Sequence, residues 1–397
     1  MTTQDATFDP TVVLWDPRNA DAPQPMYDRL REHAPVIRTT GMDGVPTVYV
    51  TRYEEAMWAL RHPEVFSSAP ESISIGQEFP LIPLQVDPPN HAKYRRWLDP
   101  EFSPKRIAEL DADARALVNS LIDGFIDRGE CDYHEEFATP LPSGIFLALM
   151  GLPRSDLPRF LRWRDDTIRP KADPNDFEGA QAIRERAGHA ITQYFARALD
   201  EQQRNPGDGL LARIAWAEVE GEPLPREEQL GVCHLMLIAG LDTVTATLDC
   251  EMTYLARHPE ARQRLVADPA VTAGAVEELL RWESPVQMVV RVIKQDSELA
   301  GVSMQAGDHA VVMIGAANLD DEFPDADRVE FERAANRHLA FGAGPHRCLG
   351  SHLARLEQRV ALEEWHRRIP DYRIADGVDI RCSPGIRQAE RLPLVWS

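Results

Sequence analysis

Five cysteines in 397 residues, with no Cys-x-x-Cys pair among them, offer neither a zinc-type ligand set nor a disulfide framework. Positive charge is also scarce. The 43 Lys and Arg face 64 Asp and Glu, giving a formal net charge of −21, the opposite of a nucleic-acid-binding footprint. Long apolar runs are missing: the longest, residues 141–152, is too short to span a bilayer and contains Pro142. The opening Met1-Thr2-Thr3-Gln4-Asp5 has neither a basic nor an apolar leader region, so the expectation is a cytoplasmic protein without membrane contact. No Gly/Ser tract, charge block or internal repeat marks a linker, and residues 1–397 therefore read as one domain.

What is present is helical periodicity. Apolar spacing predicts helices over 25–33, 53–61, 91–98, 107–129, 140–150, 157–168, 177–205, 226–258, 261–267, 271–282 and 349–368. Strand candidates are short: 47–51, 289–293, 309–314 and 371–374. Residues 66–86, rich in Ser, Pro and Ile, read as a long loop, and loops of that length in compact domains are usually functional or disordered. The fold class is mainly α with a small β part.

One cysteine has an unusual setting. Cys348 lies in Phe341-Gly342-Ala343-Gly344-Pro345-His346-Arg347-Cys348-Leu349-Gly350, ahead of a helical segment. Glycines allow tight turns and close approach to a large flat object. A helix N-terminus favours thiolate over thiol, and a thiolate beside an aromatic ring suits the axial ligand of a haem iron. Cys131, Cys233, Cys250 and Cys382 have no such context and read as reduced, inert thiols.

The pattern Phe-Gly-x-Gly-x-His-x-Cys-x-Gly resembles the haem-ligand loop of the cytochrome P-450 superfamily, and the similarity covers essentially the whole chain. It implies the superfamily's triangular helical prism around haem b, with Cys348 on the iron and Phe341 and Gly350 against the cofactor. Glu278 and Arg281 are three apart, so they share a helix face. With Arg328 as third member, they match the family's buried network behind the haem. Ala239-Gly240-Leu241-Asp242-Thr243 matches the oxygen-binding helix. An acid and an alcohol in an apolar run must hydrogen-bond or work, and the resemblance gives Asp242 and Thr243 the delivery of protons for O–O cleavage. Glycine and threonine there are expected to loosen the helix ladder. A threonine bonded back to its own helix is the alternative reading. His91 and Arg95, one turn apart, match propionate-binding positions together with Arg291 and His346.

By the same resemblance, Phe79, Ile82, Ile238, Ala239, Val286, Val289, Val290, Ile386 and Arg387 line the substrate cavity. Phe79 stands where the camphor hydroxylase branch uses a ketone-binding tyrosine. A ring without a hydroxyl cannot donate to a ketone, so camphor gives way to another terpenoid, alicyclic or aromatic substrate. Arg387 either holds a substrate carboxylate or reaches to solvent. The implied activity is a monooxygenase, RH + O2 + 2e− + 2H+ giving ROH + H2O. Without an appended flavin or nicotinamide domain, electrons are expected from a [2Fe–2S] ferredoxin and an NAD(P)H-dependent reductase. That partner would dock on a monomer near Lys93, Arg96 and Arg347. A peroxide-driven peroxygenase and a non-enzymatic haem sensor are the rival readings.

Overall fold

The computed structural model describes residues 10, 14, 16–41, 44–173 and 176–397, so the opening pentapeptide lies outside the described residues. Eleven helices carry the argument. They are α1 (Gln24–His33), α2 (Tyr53–Arg61), α3 (His91–Leu98), α4 (Asp111–Asp123), α5 (Pro140–Met150) and α6 (Leu157–Ile168). The others are α7 (Phe177–Arg204), α8 (Arg226–Leu241), α9 (Thr243–Arg257), α10 (Thr272–Glu283) and α11 (Ser351–Arg368).

Local chemistry explains several ends. Asp176 caps α7 by accepting from the Gly179 amide. Gly151 closes α5 in the left-handed region at φ 73°. Glu54 and Glu55 begin α2 and Arg61 ends it, in line with the helix dipole.

The strands that frame the site are β1 (Val36–Thr40), β2 (Pro46–Val50), β3 (Phe66–Ser67), β4 (Glu130–Asp132), β5 (Val289–Ile293), β6 (His309–Val312), β7 (Arg373–Ile374) and β8 (Pro393–Val395); two further two-stranded ribbons lie at residues 218–223 and 297–304. The larger sheet has the order β1-β2-β6-β5-β3 and is antiparallel except where β6 runs parallel to β2. A smaller sheet orders β7-β8-β4, all antiparallel. β1, β4 and β8 were not legible as strands, because three to five residues with one or two buried positions give no countable alternation.

Helices α5, α6 and α7 pack around α8, while α4 and α10 pack on α11. The main core surrounds Trp365 of α11, which lies edge-on to Tyr133, Phe137 and Tyr372. Arg226–Arg257 is long and apolar enough by composition to cross a membrane, yet most of it is buried inside the protein, as befits a central core helix.

Two expected helices are interrupted. The segment read as 107–129 turns at Glu109-Leu110, between a short helix Pro104–Ala108 and α4. It ends at Gly124, where Phe125 turns in toward Trp365. The segment read as 226–258 breaks at Asp242, as the loosened ladder anticipated. Freed carbonyls there take side-chain donors: Thr243 Oγ1 to Ala239, and both Thr245 Oγ1 and Arg164 Nη1 to Leu241.

The loop 66–86 is ordered from within by Gln85. Its Oε1 accepts from the Leu81 amide at 2.8 Å and its Nε2 donates to Ile73 O at 2.8 Å. It is also seated backbone to backbone. A Cβ on Gly188 of α7 would lie 1.9 Å from Gly76 O, and one on Gly231 of α8 would lie 2.2 Å from Pro80 O.

His366 of α11 illustrates how the core titrates. Burial drives its pKa down to about 4, while Nδ1 faces Leu362 O and Nε2 faces Tyr372 Oη. Between about pH 6.5 and 4 the unfolded chain binds a proton there that the folded chain refuses, so this group's stability contribution is lost as pH falls. Urea melts at pH 7 and pH 5 should show a smaller loss on acidification for His366→Gln than for the parent. Equal losses would remove His366 from the acid response.

Candidate active site

The cysteine loop is shaped by two left-handed glycines, Gly342 at φ 66° and Gly344 at φ 67°. A Cβ on Gly344 would also come within 2.3 Å of Leu60 O, so the loop is pressed against the end of α2. The Cys348 amide donates back to Phe341 O at 2.8 Å and closes the turn. Arg355 of α11 lies over the Phe341 ring at 4.4 Å and forks onto Glu277 of α10, which His338 also meets. These partners pull the Glu277 carboxyl down to about 2 despite its burial.

Cys348 is the one exposed cysteine of the five, although protein surrounds it on nearly every side; its sulfur therefore opens into an interior space. Burial pushes its thiol up, and the opposing Gly350 amide and the guanidinium groups of Arg95, Arg347 and Arg355 do not outweigh it. α11 begins only at Ser351, so the helix terminus by itself does not yield the thiolate expected from the sequence. Metal coordination would, because a ligating thiol is deprotonated outright. At Gly350 an added Cβ would meet nothing within 4 Å, which is open space beside the sulfur.

The propionate candidates are brought together. The rings of His91 and His346 lie 4.4 Å apart, and both Nε2 atoms are buried without a partner. Burial takes the His91 pKa down to about 4, with Arg95 adding to the shift. His346 falls to about 3 through burial, with His91 and the guanidinium groups of Arg291 and Arg95 close enough to disfavour a second charge. Arg291 on β5 is buried, donates to Val290 O, and has its pKa lowered by burial to about 10. Arg95 spans Asp99 and the Arg347 carbonyl, tying α3 to the cysteine loop. Asp87 acts on these groups only from a distance, and a buried guanidinium, and two imidazole nitrogens left without hydrogen-bonding partners, are costly. A flat cofactor bearing two carboxylates, with iron at Cys348, supplies what this cluster lacks, so the residues fit haem.

The network behind the loop departs from expectation in one member. Glu278 and Arg281 are both fully buried. Arg281 Nε and Nη2 donate to Glu278, while its remaining hydrogens go to the carbonyls of Asn318, Ala326 and Arg328. All five guanidinium donors are satisfied. The third arginine is Arg333, not Arg328: its Nε lies 3.0 Å from both Glu278 oxygens. Arg328 is exposed at its side chain and lends only its carbonyl. The two arginines lie five residues apart in irregular backbone, where spacing gives no face to prefer.

Asp242 is fully buried and paired with Arg169, a residue sequence reasoning missed. Arg169 Nη1 and Nη2 reach the two carboxyl oxygens at 2.6 and 3.1 Å, while its Nε donates to Ser383 Oγ. Arg169 also reaches Ile386 O, so one side chain joins the acid to the 383–387 turn. Thr243 shows the bland bond to Ala239 O at 3.1 Å. Open surface at Ala239 and Thr243, within an otherwise buried helix, marks a void against α8.

Of the expected cavity residues, Val286, Val289, Val290 and Ile386 are partly open, and Val286 forms a β-bridge with Ile386. Ile82 and Ile238 are buried in the main core, and Phe79 packs against it. Arg387 is neither a carboxylate clamp nor a surface cation. It is buried and spends its donors on Ala20 O, Glu283 O and Glu283 Oε2, the last at 2.7 Å. Glu283, five residues beyond Glu278, was the unread partner.

Truncating one member of a buried ion pair costs about 3–5 kcal/mol, against about 0.5 kcal/mol for a surface change. Arg333→Ala should therefore lower the thermal midpoint and haem content sharply, and Arg328→Ala should alter neither. Calorimetry and the haem-to-protein absorbance ratio check this; equal effects would return Arg328 to the network.

A profile of the cytochrome P450 family matches residues 160–365. The chain is 32% identical over 376 residues to a steroid C26-monooxygenase of Mycolicibacterium smegmatis, covering 94% of this chain and 92% of that one. It is 34% identical over 365 residues to a methyl-branched lipid omega-hydroxylase of Mycobacterium bovis, covering 88% and 83%. Among solved structures, a myxobacterial cytochrome P450, CYP267B1, in complex with myristic acid superposes with a TM-score of 0.87 at 31% identity, over 97% of this chain and 98% of that one.

Proposed function

The chain belongs to the cytochrome P450 family, as a monooxygenase with haem b for its cofactor, and from that premise we propose that it hydroxylates an elongated, mostly apolar lipid or steroid. Among the apolar substrates the sequence allows, the named relatives favour length over compactness: one acts on steroids at C26 and another on methyl-branched lipids at the omega end. The observation that carries the catalytic reading is the buried cluster of His91, Arg291 and His346 beside the loop of Cys348, with two histidine Nε2 atoms that have no hydrogen-bond partner.

Cys348 would hold the iron, and His91, Arg95, Arg291 and His346 the propionates. Phe341 and Gly350 would lie against the macrocycle. Bound haem supplies the activation of dioxygen and the transfer of one oxygen atom to a C–H bond. The chain's own residues supply the protons and the orientation. Thr243 offers the open hydroxyl at the helix break, and its bond to Ala239 O fixes where that hydroxyl points. Asp242 holds a carboxyl behind it, reachable through Arg169, so proton delivery follows from exchange at the Arg169–Asp242 contact. Val286, Val289 and Ile386 present apolar surface that keeps water away from the reacting carbon. The balance is RH + O2 + 2e− + 2H+ giving ROH + H2O.

Electrons arrive, in this reading, from a [2Fe–2S] ferredoxin and its NAD(P)H-dependent reductase, in the cytoplasm. Arg347 is exposed on the cysteine loop, and Lys93 lies nearby over the Tyr94 ring. Arg96 is engaged at the surface by Glu220 at 2.7 Å. Arg347 is therefore the leading contact for an acidic partner.

Two experiments test the proposal. Thr243→Ala should keep the haem spectrum while product formed per electron falls at least ~10-fold and peroxide takes the difference. Unchanged coupling would favour the peroxygenase or sensor readings. Arg347→Glu should raise the KM for ferredoxin about 10-fold with kcat retained, the loss growing as salt is lowered. An unchanged KM would move the docking face elsewhere.

A further inference from the structure

Glu277 and Glu278 are neighbours on α10, yet their carboxylates serve different partners. Glu278 joins the buried network with Arg281 and Arg333. Glu277 turns toward α11, where Arg355 Nε and Nη2 fork onto its two oxygens at 2.6 and 2.8 Å. His338 adds a third bond. Its Nδ1 accepts from the Ala340 amide at 3.2 Å, which leaves the proton on Nε2 to be given to Glu277 Oε2 at 3.1 Å. With its carboxyl pulled down to about 2, Glu277 is an anion at neutral pH, facing a guanidinium that is always charged.

The guanidinium held in this way lies 4.4 Å from the centroid of the Phe341 ring, and Phe341 O receives the Cys348 amide at 2.8 Å. The pair is therefore seated against the first residue of the cysteine loop. His338 approaches the same ring, at 5.9 Å. Arg355 is also one of three guanidinium groups, with Arg95 and Arg347, whose charge acts on the Cys348 sulfur. Of these, Arg95 spans Asp99 and the Arg347 carbonyl, and Arg347 is exposed. Arg355 alone of the three is both stacked on the loop and held by a bidentate carboxylate, a geometry that fixes a charge in place.

We propose that the Arg355–Glu277 pair sets the reduction potential of the haem held by Cys348. Reduction is a one-electron transfer: the ferredoxin is oxidised, the ferric iron becomes ferrous, and the iron–thiolate unit gains one negative charge. A fixed cation beside the loop favours the reduced form and a fixed anion the oxidised one. The two members of the pair thus pull in opposite directions, and their balance decides how readily the first electron is accepted. Arg355 and Glu277 are positioning residues that act through Phe341 and Cys348. This inference rests on the haem-thiolate reading above and adds the charges that tune it.

The test is a spectroelectrochemical titration of the haem-loaded protein, with the carbon monoxide difference band of thiolate-bound ferrous haem as control. In Arg355→Gln the ferrous-to-ferric ratio at a fixed solution potential should fall about 10-fold, ~59 mV for a one-electron couple. In Glu277→Gln it should rise about 3-fold, ~28 mV. Arg355→Lys keeps the charge and loses the fork, so its ratio should stay within about twofold of the parent's; a value matching Arg355→Gln overturns charge as the cause. Opposite signs in the two glutamine variants separate charge from structure. A purely structural pair would loosen the loop in both and move both potentials the same way, and that result overturns the proposal, as do two unmoved potentials. Should Arg355→Gln fail to hold haem, Glu277→Gln decides, and a ratio at or below the parent's overturns the proposal. A parent without the thiolate band overturns the haem-thiolate reading itself; a parent with the band and unmoved variants overturns this inference alone.

Discussion

The Glu278–Arg281 pair is the contact on which the proximal half of the molecule depends. A charge with no water around it must find every one of its partners in protein. Arg281 does so by collecting the carbonyls of residues 318, 326 and 328, and Glu278 by collecting Arg333, the Glu330 amide and Asn336. The irregular backbone from Asn318 to the cysteine loop is thereby pinned to α10, without a sheet or helix of its own. The loop that offers Cys348 follows directly, and its two left-handed glycines set the final turn. Breaking the pair would release the whole segment, because none of its parts has independent secondary structure to fall back on.

The same economy governs the opposite side of the site. Arg387 and Arg169 each join the 383–387 turn to a buried acid, Glu283 in one case and Asp242 in the other. This turn, proposed to face substrate, is therefore held by charges whose partners lie on α10 and at the helix break. Residues behind it cannot be altered without moving Ile386. By contrast, His91 and His346 each keep a buried Nε2 with no protein partner, the opening that the proposed cofactor would fill. Incompleteness at those two nitrogens is what separates a binding site from a structural network made of the same residue types.

Legibility in the sequence followed how far each signal reached. Helices α2, α3, α5 and α6 match their expected spans because apolar spacing over two or three turns is a local property. The break at Asp242 was foreshadowed by Gly240 and Thr243, whose chemistry is also local. Tertiary partners were another matter. Nothing in the spacing of 328 and 333 tells which guanidinium turns inward, and nothing near Arg387 announces Glu283, more than a hundred residues away. Arg169, at the end of α6, carries no pattern at all. Motifs thus reached the residues that the fold gathers around Cys348, and left the partners of the buried charges to the fold.

The glycine seam beneath residues 76–82 has a consequence for how such an enzyme changes its diet. Where the loop rests on α7 and α8, main chain meets main chain at Gly76, Gly188 and Gly231, and Leu81 and Ile82 bury their side chains beside that seam. At those three points the loop's seat is independent of the letters written along it. Substitution at the half-buried Phe79 can alter the surface presented to a guest while the seat and the supporting helices stay as they are. Recognition and seating are carried by different atoms, so one can drift through sequence space while the other is held constant by three missing methyl groups.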